Sequence, residues 1–155
     1  MPTTTFNNLS SEKRRRVDAA LLNEFSQHSL ATEQVSRIVK DAGIARGAFY
    51  KYFDDLQDAY LYLYQKAMRQ LHQPLDLSKN QGINHYVKMV ETFLDDVNNH
   101  QYRNLVRLHL QTNAGLLSAQ DAYPAFGEKL TTQQWMIMVL VHQTLIDCMN
   151  YPKKK

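Results

Sequence analysis

Apolar residues recur along this chain with a helical period. Between Ser10 and Gln27 they fall at Val17, Ala20, Leu21, Leu22 and Phe25, which predicts a helix with Ser10 as its N-cap. A second helix is predicted from Glu33 to Ala42. Val35, Ile38 and Val39 share its inner face, Thr32 is the candidate N-cap, and Gly43 suits a left-handed C-cap. A third, short helix covers Ala45 to Phe53, where Phe49 and Phe53 stand one turn apart and so share one face. Asp55 reads as the N-cap of a fourth helix, DLQDAYLYLYQKAMRQLHQ, which reaches His72 with Asp58 in its first turn.

The second half repeats the helical pattern after a break. Pro74 and the segment PLDLSKNQG form the clearest linker, so the chain divides into units at 8–72 and 78–151. Ile83, Tyr86, Val87, Val90, Phe93, Leu94 and Val97 make a wide apolar stripe on one helix. Another runs from Gln101 to Asn113, followed by turn signals at Gly115, Pro124 and Gly127 in AGLLSAQDAYPAFG. The last helix begins at Glu128 or Thr131 and ends near Met149. Its core, WMIMVLV from Trp135 to Val141, is apolar on every side. Both faces should therefore be covered. One meets its own lobe, and the other meets either more of the interior or a second copy of the chain. A lobe of this size seldom hides a helix all round, which favours the second copy.

Composition agrees. Gly and Pro number only 5 and 4, the hydrophobic share is 44%, and nothing suggests strands. The fold class is all-α: a three-helix N-terminal lobe joined by a long helix to a small helical C-terminal lobe. The 18 basic and 15 acidic residues are unevenly placed. Through Phe53 there are 8 basic against 5 acidic, with the run Lys13-Arg14-Arg15-Arg16, whereas the remainder is balanced at 10 against 10. A basic N-terminal third suits phosphate, although a solvated helix face has the same look. Cys148 is the sole cysteine, so no internal disulfide forms, and its apolar neighbours on the last helix place it in the interior. MPTTTFNNLSSEK lacks a signal-peptide core, and no apolar run approaches the roughly 20 residues of a membrane span. A cytoplasmic protein, associated with the nucleoid when bound to DNA, is expected.

Two short helices joined by the tight turn Ala42-Gly43-Ile44 have the layout of a helix-turn-helix, placed at 34–53. With Phe49 and Phe53 inward, Arg46, Tyr50 and Lys51 face outward. Arg46 can address a guanine edge or a phosphate, and the tyrosines and lysine suit phosphate oxygens. RRVDAALLNEF at 15–25 and VSRIVKDAGIARGAFYKYF at 35–53 resemble the opening helix and helix-turn-helix of the TetR family of bacterial regulators. The matching positions are Ile38, Ala42, Gly43, Ile44, Gly47, Phe49, Tyr50, Tyr52 and Phe53, without a gap. The resemblance implies a homodimer that binds a palindromic double-stranded operator through an N-terminal lobe. It also implies a C-terminal lobe for dimerisation and sensing of a small hydrophobic effector. Carried over as DNA contacts are Ser36, Arg37, Arg46, Gly47, Tyr50, Lys51 and Tyr52.

Departures from the family pattern are specific. Glu33 and Gln34 stand where Thr or Ser is usual, and a carboxylate at Glu33 would repel a phosphate. Ala45 replaces a capping residue, Ala48 a polar reader, and Leu56 a phosphate-binding lysine. Met89, Phe93, Tyr102, His109, Trp135, Met138 and His142 are the candidate lining of an effector pocket, although such side chains also build ordinary cores. No phosphate loop, nucleophile elbow or metal-ligand spacing is present, so neither enzyme activity, cofactor nor metal is expected. A second reading is a TetR-like ligand-binding or partner-binding protein with weakened or non-promoter DNA binding.

Overall fold

The computed structural model describes residues 2–71, 82–118, 121 and 131–151, all helical or connecting. The elements are α1 (Thr4–Asn7), α2 (Ser11–Gln27), α3 (Val35–Ala42), α4 (Arg46–Tyr52), α5 (Leu56–Leu71), α6 (Ile83–Asn98), α7 (Arg103–Gln111), a 3₁₀ turn (Asn113–Leu116) and α8 (Thr132–Asn150). The all-α expectation holds. The proposed linker PLDLSKNQG, apart from Gly82 at its end, and the turn around Pro124 and Gly127 lie outside the described residues.

Local chemistry accounts for most boundaries. The Ser10 hydroxyl accepts the Lys13 N–H at 3.4 Å and opens α2. Gly43 ends α3 at φ 63°, a left-handed conformation that costs other residues about 1 kcal/mol or more. Asp55 Oδ1 accepts the Asp58 N–H at 2.7 Å at the start of α5. Thr131 and Gln134 close a capping box at α8, which fixes its start at the later of the two expected positions.

Two expectations need correction, on Thr32 and on Cys148, and the exposure of α8 decides a third point. Thr32 is not the cap of the second helix: α3 starts at Val35, with Gln34 at the cap position and no side-chain cap bond. The Thr32 hydroxyl instead donates to Ser29 O at 3.3 Å within the preceding turn. Cys148 is exposed, because α8 turns Leu145 and Met149, not Cys148, onto the core. The α8 apolar run is covered on one side only within the chain. Met138 is buried, while Trp135 is 51% and Leu140 60% exposed, with Met136 and Val139 beside them.

One hydrophobic cluster runs from Phe6 to Leu117. It is continuous through α5, whose Ala59, Tyr60, Leu63 and Ala67 are buried. On its N-terminal side α2 packs on α3, α5 and α7, and α3 on α4. On the other, α6 packs on α5, α7 and α8. The helix-turn-helix thus rests on α2, and α2 also touches the C-terminal helices. Among the described residues no helix is long and apolar enough to cross a membrane.

Candidate nucleic-acid interface

The helix-turn-helix is held by buried chemistry behind it. Ile38, Ala42, Phe49 and Phe53 are nearly inaccessible; α3 packs its inner face on α2, and α4 packs on α3 and α1. Glu24 on α2 is only 4% exposed at its side chain and serves as the lock. Its carboxylate accepts the Gln34 N–H at 2.9 Å, Arg37 Nε at 2.8 Å and Arg37 Nη2 at 2.5 Å. It therefore satisfies the backbone N–H at the head of α3, where no side chain of that segment provides a cap. Burial alone would raise the Glu24 carboxyl, but the Arg37 and Gln34 hydrogen bonds and the guanidinium charge hold it below its ordinary value.

The candidate DNA contacts fall into two sets. Ser36, Arg46, Gly47, Tyr50 and Lys51 are exposed, and the last four form the outer face of α4. The Tyr50 ring stands edge-on to Phe49 at 5.4 Å, which supports it from below. A Cβ added at Gly47 would meet nothing within 4 Å, so packing within the chain does not require a glycine there. Arg37 and Tyr52 are placed differently. The Arg37 guanidinium is spent on Glu24 and on Thr32 O at 2.9 Å. Tyr52 is 3% exposed and packs against Phe6, so it belongs to the core and not to the outer face. Its order in the motif was legible. Its direction was not, because Phe6 and α1 were not foreseen as structured.

Glu33 also differs from expectation. Burial and the charges of Glu24 and Asp55 push its carboxyl up to about 8, against the opposing pull of Arg37. At neutral pH its protonated form is favoured, which weakens the expected repulsion of a phosphate. One of its oxygens is buried without a hydrogen-bond partner. The folded chain holds a proton that the unfolded chain releases near 4.5, so this group's contribution to stability falls as pH rises from 4.5 to about 8. His109 has the opposite sign. Burial, with the nearby His142, lowers it to about 4 from 6.5, so its contribution grows as pH rises between those values. Above pH 6.5, of these two contributions, the Glu33 loss remains. The urea midpoint should then decline from pH 6.5 to 8, and Glu33→Gln should flatten that decline. An unchanged slope in the variant would assign the titration to another group.

The candidate effector residues are not gathered in one cavity. Met89 and Phe93 line an open groove of about 240 Å³ between α5 and α6. Tyr102 lines a different cleft, against α2. Trp135 is on the surface and Met138 in the interior. His109 is buried in α7, where Nδ1 meets the Tyr60 hydroxyl at 2.9 Å and the ring stacks on Tyr64 at 3.8 Å. His142 is half-buried and close enough to His109 to influence its charge. Asn113 ties the same region to the N-terminal lobe by accepting the Leu30 N–H at 3.0 Å. Tyr60, His109 and Asn113 thus form a polar junction between the helices behind the helix-turn-helix and those of the C-terminal half.

Comparison with known proteins fits this geometry. Residues 18–58 match the family model of bacterial regulatory proteins of the tetR family. The match covers the helix-turn-helix and its flanks, about a quarter of the chain, and is a similarity of that segment to the family. Among solved structures, a TetR family transcriptional regulator from Chloroflexus aurantiacus J-10-FL is similar over 100% of this chain and 83% of that one, at 24% identity and a TM-score of 0.62. The fatty acid degradation regulator FadR from Bacillus halodurans is similar over 96% of this chain and 90% of that one, at 19% identity and a TM-score of 0.62. The whole chain therefore has the TetR fold. A comparison with proteins of established function finds no match. In TetR terms α2 is the framing helix, α3 and α4 the helix-turn-helix, and α5 the connection to the second lobe. Glu24 and Phe6 are the structural residues that the sequence reading missed. Glu24 was detectable: with Val17, Ala20 and Leu21 it completes the apolar face of its helix, where an acid requires a partner.

Proposed function

We propose that this TetR-type protein is a sequence-specific, DNA-binding transcriptional regulator that acts as a homodimeric repressor on a palindromic operator. The observation that carries the reading is the outer face of α4. Arg46, Gly47, Tyr50 and Lys51 project from a helix whose opposite side is locked into the core. Arg46 has the geometry to reach a base edge, Tyr50 and Lys51 address phosphates, and the bare Gly47 lets the duplex backbone come close. Ser36 on the exposed side of α3 adds a phosphate contact. Arg37 and Tyr52 are left out of this set because each is occupied within the fold. The units at 8–72 and 78–151 are read as the DNA-binding and the dimerisation-and-effector domains of a cytoplasmic protein.

The polar junction supports release by an effector. A small apolar molecule admitted among α5, α6 and α7 would strain the Tyr60–His109 and Leu30–Asn113 bonds, and so would move α5 and the head of α3. It becomes a switch to the extent that it binds the two arrangements with different affinity.

Operator sites selected from genomic DNA provide the test, with affinity read by fluorescence anisotropy. Arg46→Ala should lower affinity by about 1–3 kcal/mol per half-site, relax the preference at one base position, and leave folding intact. Gly47→Ala separates interface from fold. It should raise thermal stability slightly, by about 0.5–1 kcal/mol, because alanine favours the helix and meets no neighbour. It should also weaken operator binding. Wild-type binding with no sequence preference would overturn the reading, in favour of a TetR-like protein that serves as a ligand or partner binder.

A further inference from the structure

A cleft of about 370 Å³ lies outside the helix-turn-helix and outside the polar junction. One wall is the α2 face carrying Arg14, Arg15, Asp18 and Leu22; Asp18 stands one turn from each of the two adjacent arginines and one turn before Leu22. The second wall is α5, through Leu63 and Lys66. The third is Tyr102, in the connection between α6 and α7. Its volume falls in the lower part of the ~300–1,000 Å³ usual for small-molecule sites.

Charge in the cleft is uneven. Asp18 is fully engaged: one oxygen accepts the Tyr62 hydroxyl at 2.9 Å and the other Lys66 Nζ at 2.5 Å. That pair is balanced. Arg14 donates to the neutral carbonyl of Asn7 and lies over the Phe6 ring, contacts that supply no counter-charge, and Arg15 is exposed. Among the described residues neither arginine has an ion-pair partner. The floor is apolar, with Leu63 fully buried and Leu22 packed on the core. The Tyr102 ring is 4% exposed, and its phenol feels both Lys66 and Asp18, so it stands at the inner end beside the charged row. Burial raises this phenol, which keeps it protonated and able to donate.

We propose that this cleft binds a small amphipathic anion, its acid group between Arg14 and Arg15 and its apolar body on Leu22, Leu63 and Tyr102. Two guanidiniums match a carboxylate or a phosphate ester, whereas inorganic anions would leave the apolar floor unfilled. Such a ligand would touch α2 and the α6–α7 connection at once.

The test uses the full chain without DNA, so its failure and that of the operator reading are distinguishable. Thermal unfolding and calorimetry are run with 2-naphthoate and phenyl phosphate as amphipathic anions. The controls are 2-naphthalenemethanol for the apolar body alone and sulfate for the charge alone. At least one amphipathic anion should bind and raise the midpoint, with each control at least tenfold weaker. Arg15→Ser should weaken the binding at least tenfold. Ala19→Trp, on the exposed rim, should fill the cleft and abolish it without lowering the midpoint of the free protein. No stabilisation by either amphipathic anion would overturn the proposal, as would binding that survives Ala19→Trp.

Discussion

Replacing Trp135 and Leu140 together by glutamate is expected to give a folded monomer with operator affinity about 10²–10⁴ lower than the parent. Trp135, Met136, Val139 and Leu140 recur at one and four residues along α8 and so form one stripe, yet all four are exposed within the single chain. The opposite side of α8 already packs on α6 and α7 through Met138, Leu145 and Met149. Ile83 and Val87, on the neighbouring α6, are exposed as well, at 72% and 49%. Fully burying each such side chain is worth roughly 1.5–3 kcal/mol, so leaving this many in water is costly unless a second copy covers them. The affinity loss follows from geometry. A dimer presents its second α4 at a high effective concentration once the first is seated, and a monomer has only one. Sedimentation equilibrium and anisotropy on the same samples check the two halves. A parent that is monomeric at micromolar concentration, or a double variant that remains dimeric, would remove α8 from the interface. Both positions are on the surface, so circular dichroism should be unchanged.

The fold was legible because its determinants are local. Ser10, Gly43 and Asp55 act through caps within three residues of themselves, and the helices they bound appear within two residues of where periodicity puts them. The turn between α3 and α4 depends on one backbone angle that glycine alone adopts cheaply, so the motif declares itself in sequence. The candidate interface was legible only where the outward direction follows from one helix. Arg46, Tyr50 and Lys51 are outward because Phe49 and Phe53 are inward. Arg37 and Tyr52 depend on what arrives from elsewhere. Glu24 lies 13 residues before Arg37, and Phe6 lies 46 before Tyr52 in the sequence, so no local pattern announces either pairing. The same limit applies to α8. Its run of apolar residues predicts two covered faces, and the single chain covers one. The scattered effector candidates fail for a related reason: Met and aromatic residues at helical spacing identify a helix that packs, not the cavity it packs around.

The N-terminal segment makes the second large prediction. Residues 1–9 contain only Met1, Phe6 and Leu9 as large apolar side chains, with no sustained helical period, so nothing in the sequence marks them as structured. In the fold Phe6 is 1% exposed and sits among Phe53, Tyr62 and Tyr52, with ring centroids 4.9, 5.1 and 5.8 Å away. The Arg14 guanidinium covers the ring from the α2 side. The segment also closes the end of α4. Thr3 N–H donates to Tyr52 O at 3.0 Å, and its hydroxyl donates to Lys51 O at 2.6 Å. These are carbonyls at the C-terminal end of α4, which a helix cannot satisfy for itself. Phe6→Ala removes a ring from this cluster and should cost about 3–5 kcal/mol. For a chain of this size that lowers the melting midpoint by roughly 10 °C. The loss should not stop at stability. With Phe6 gone, the Thr3 bonds lose their anchor and the C-terminal turn of α4 frays, which loosens Tyr50 and Lys51 on its outer face. Operator affinity should therefore fall in the variant even at temperatures where it is fully folded. Hydrogen exchange should report faster opening at the Tyr52 and Phe53 amides but not along α7. A cost below about 1 kcal/mol, with exchange unchanged at α4, would mean that α1 merely rests on the surface. Phe6→Leu keeps the cavity partly filled, so it should recover much of the stability and most of the affinity, as expected if the clamp acts by packing.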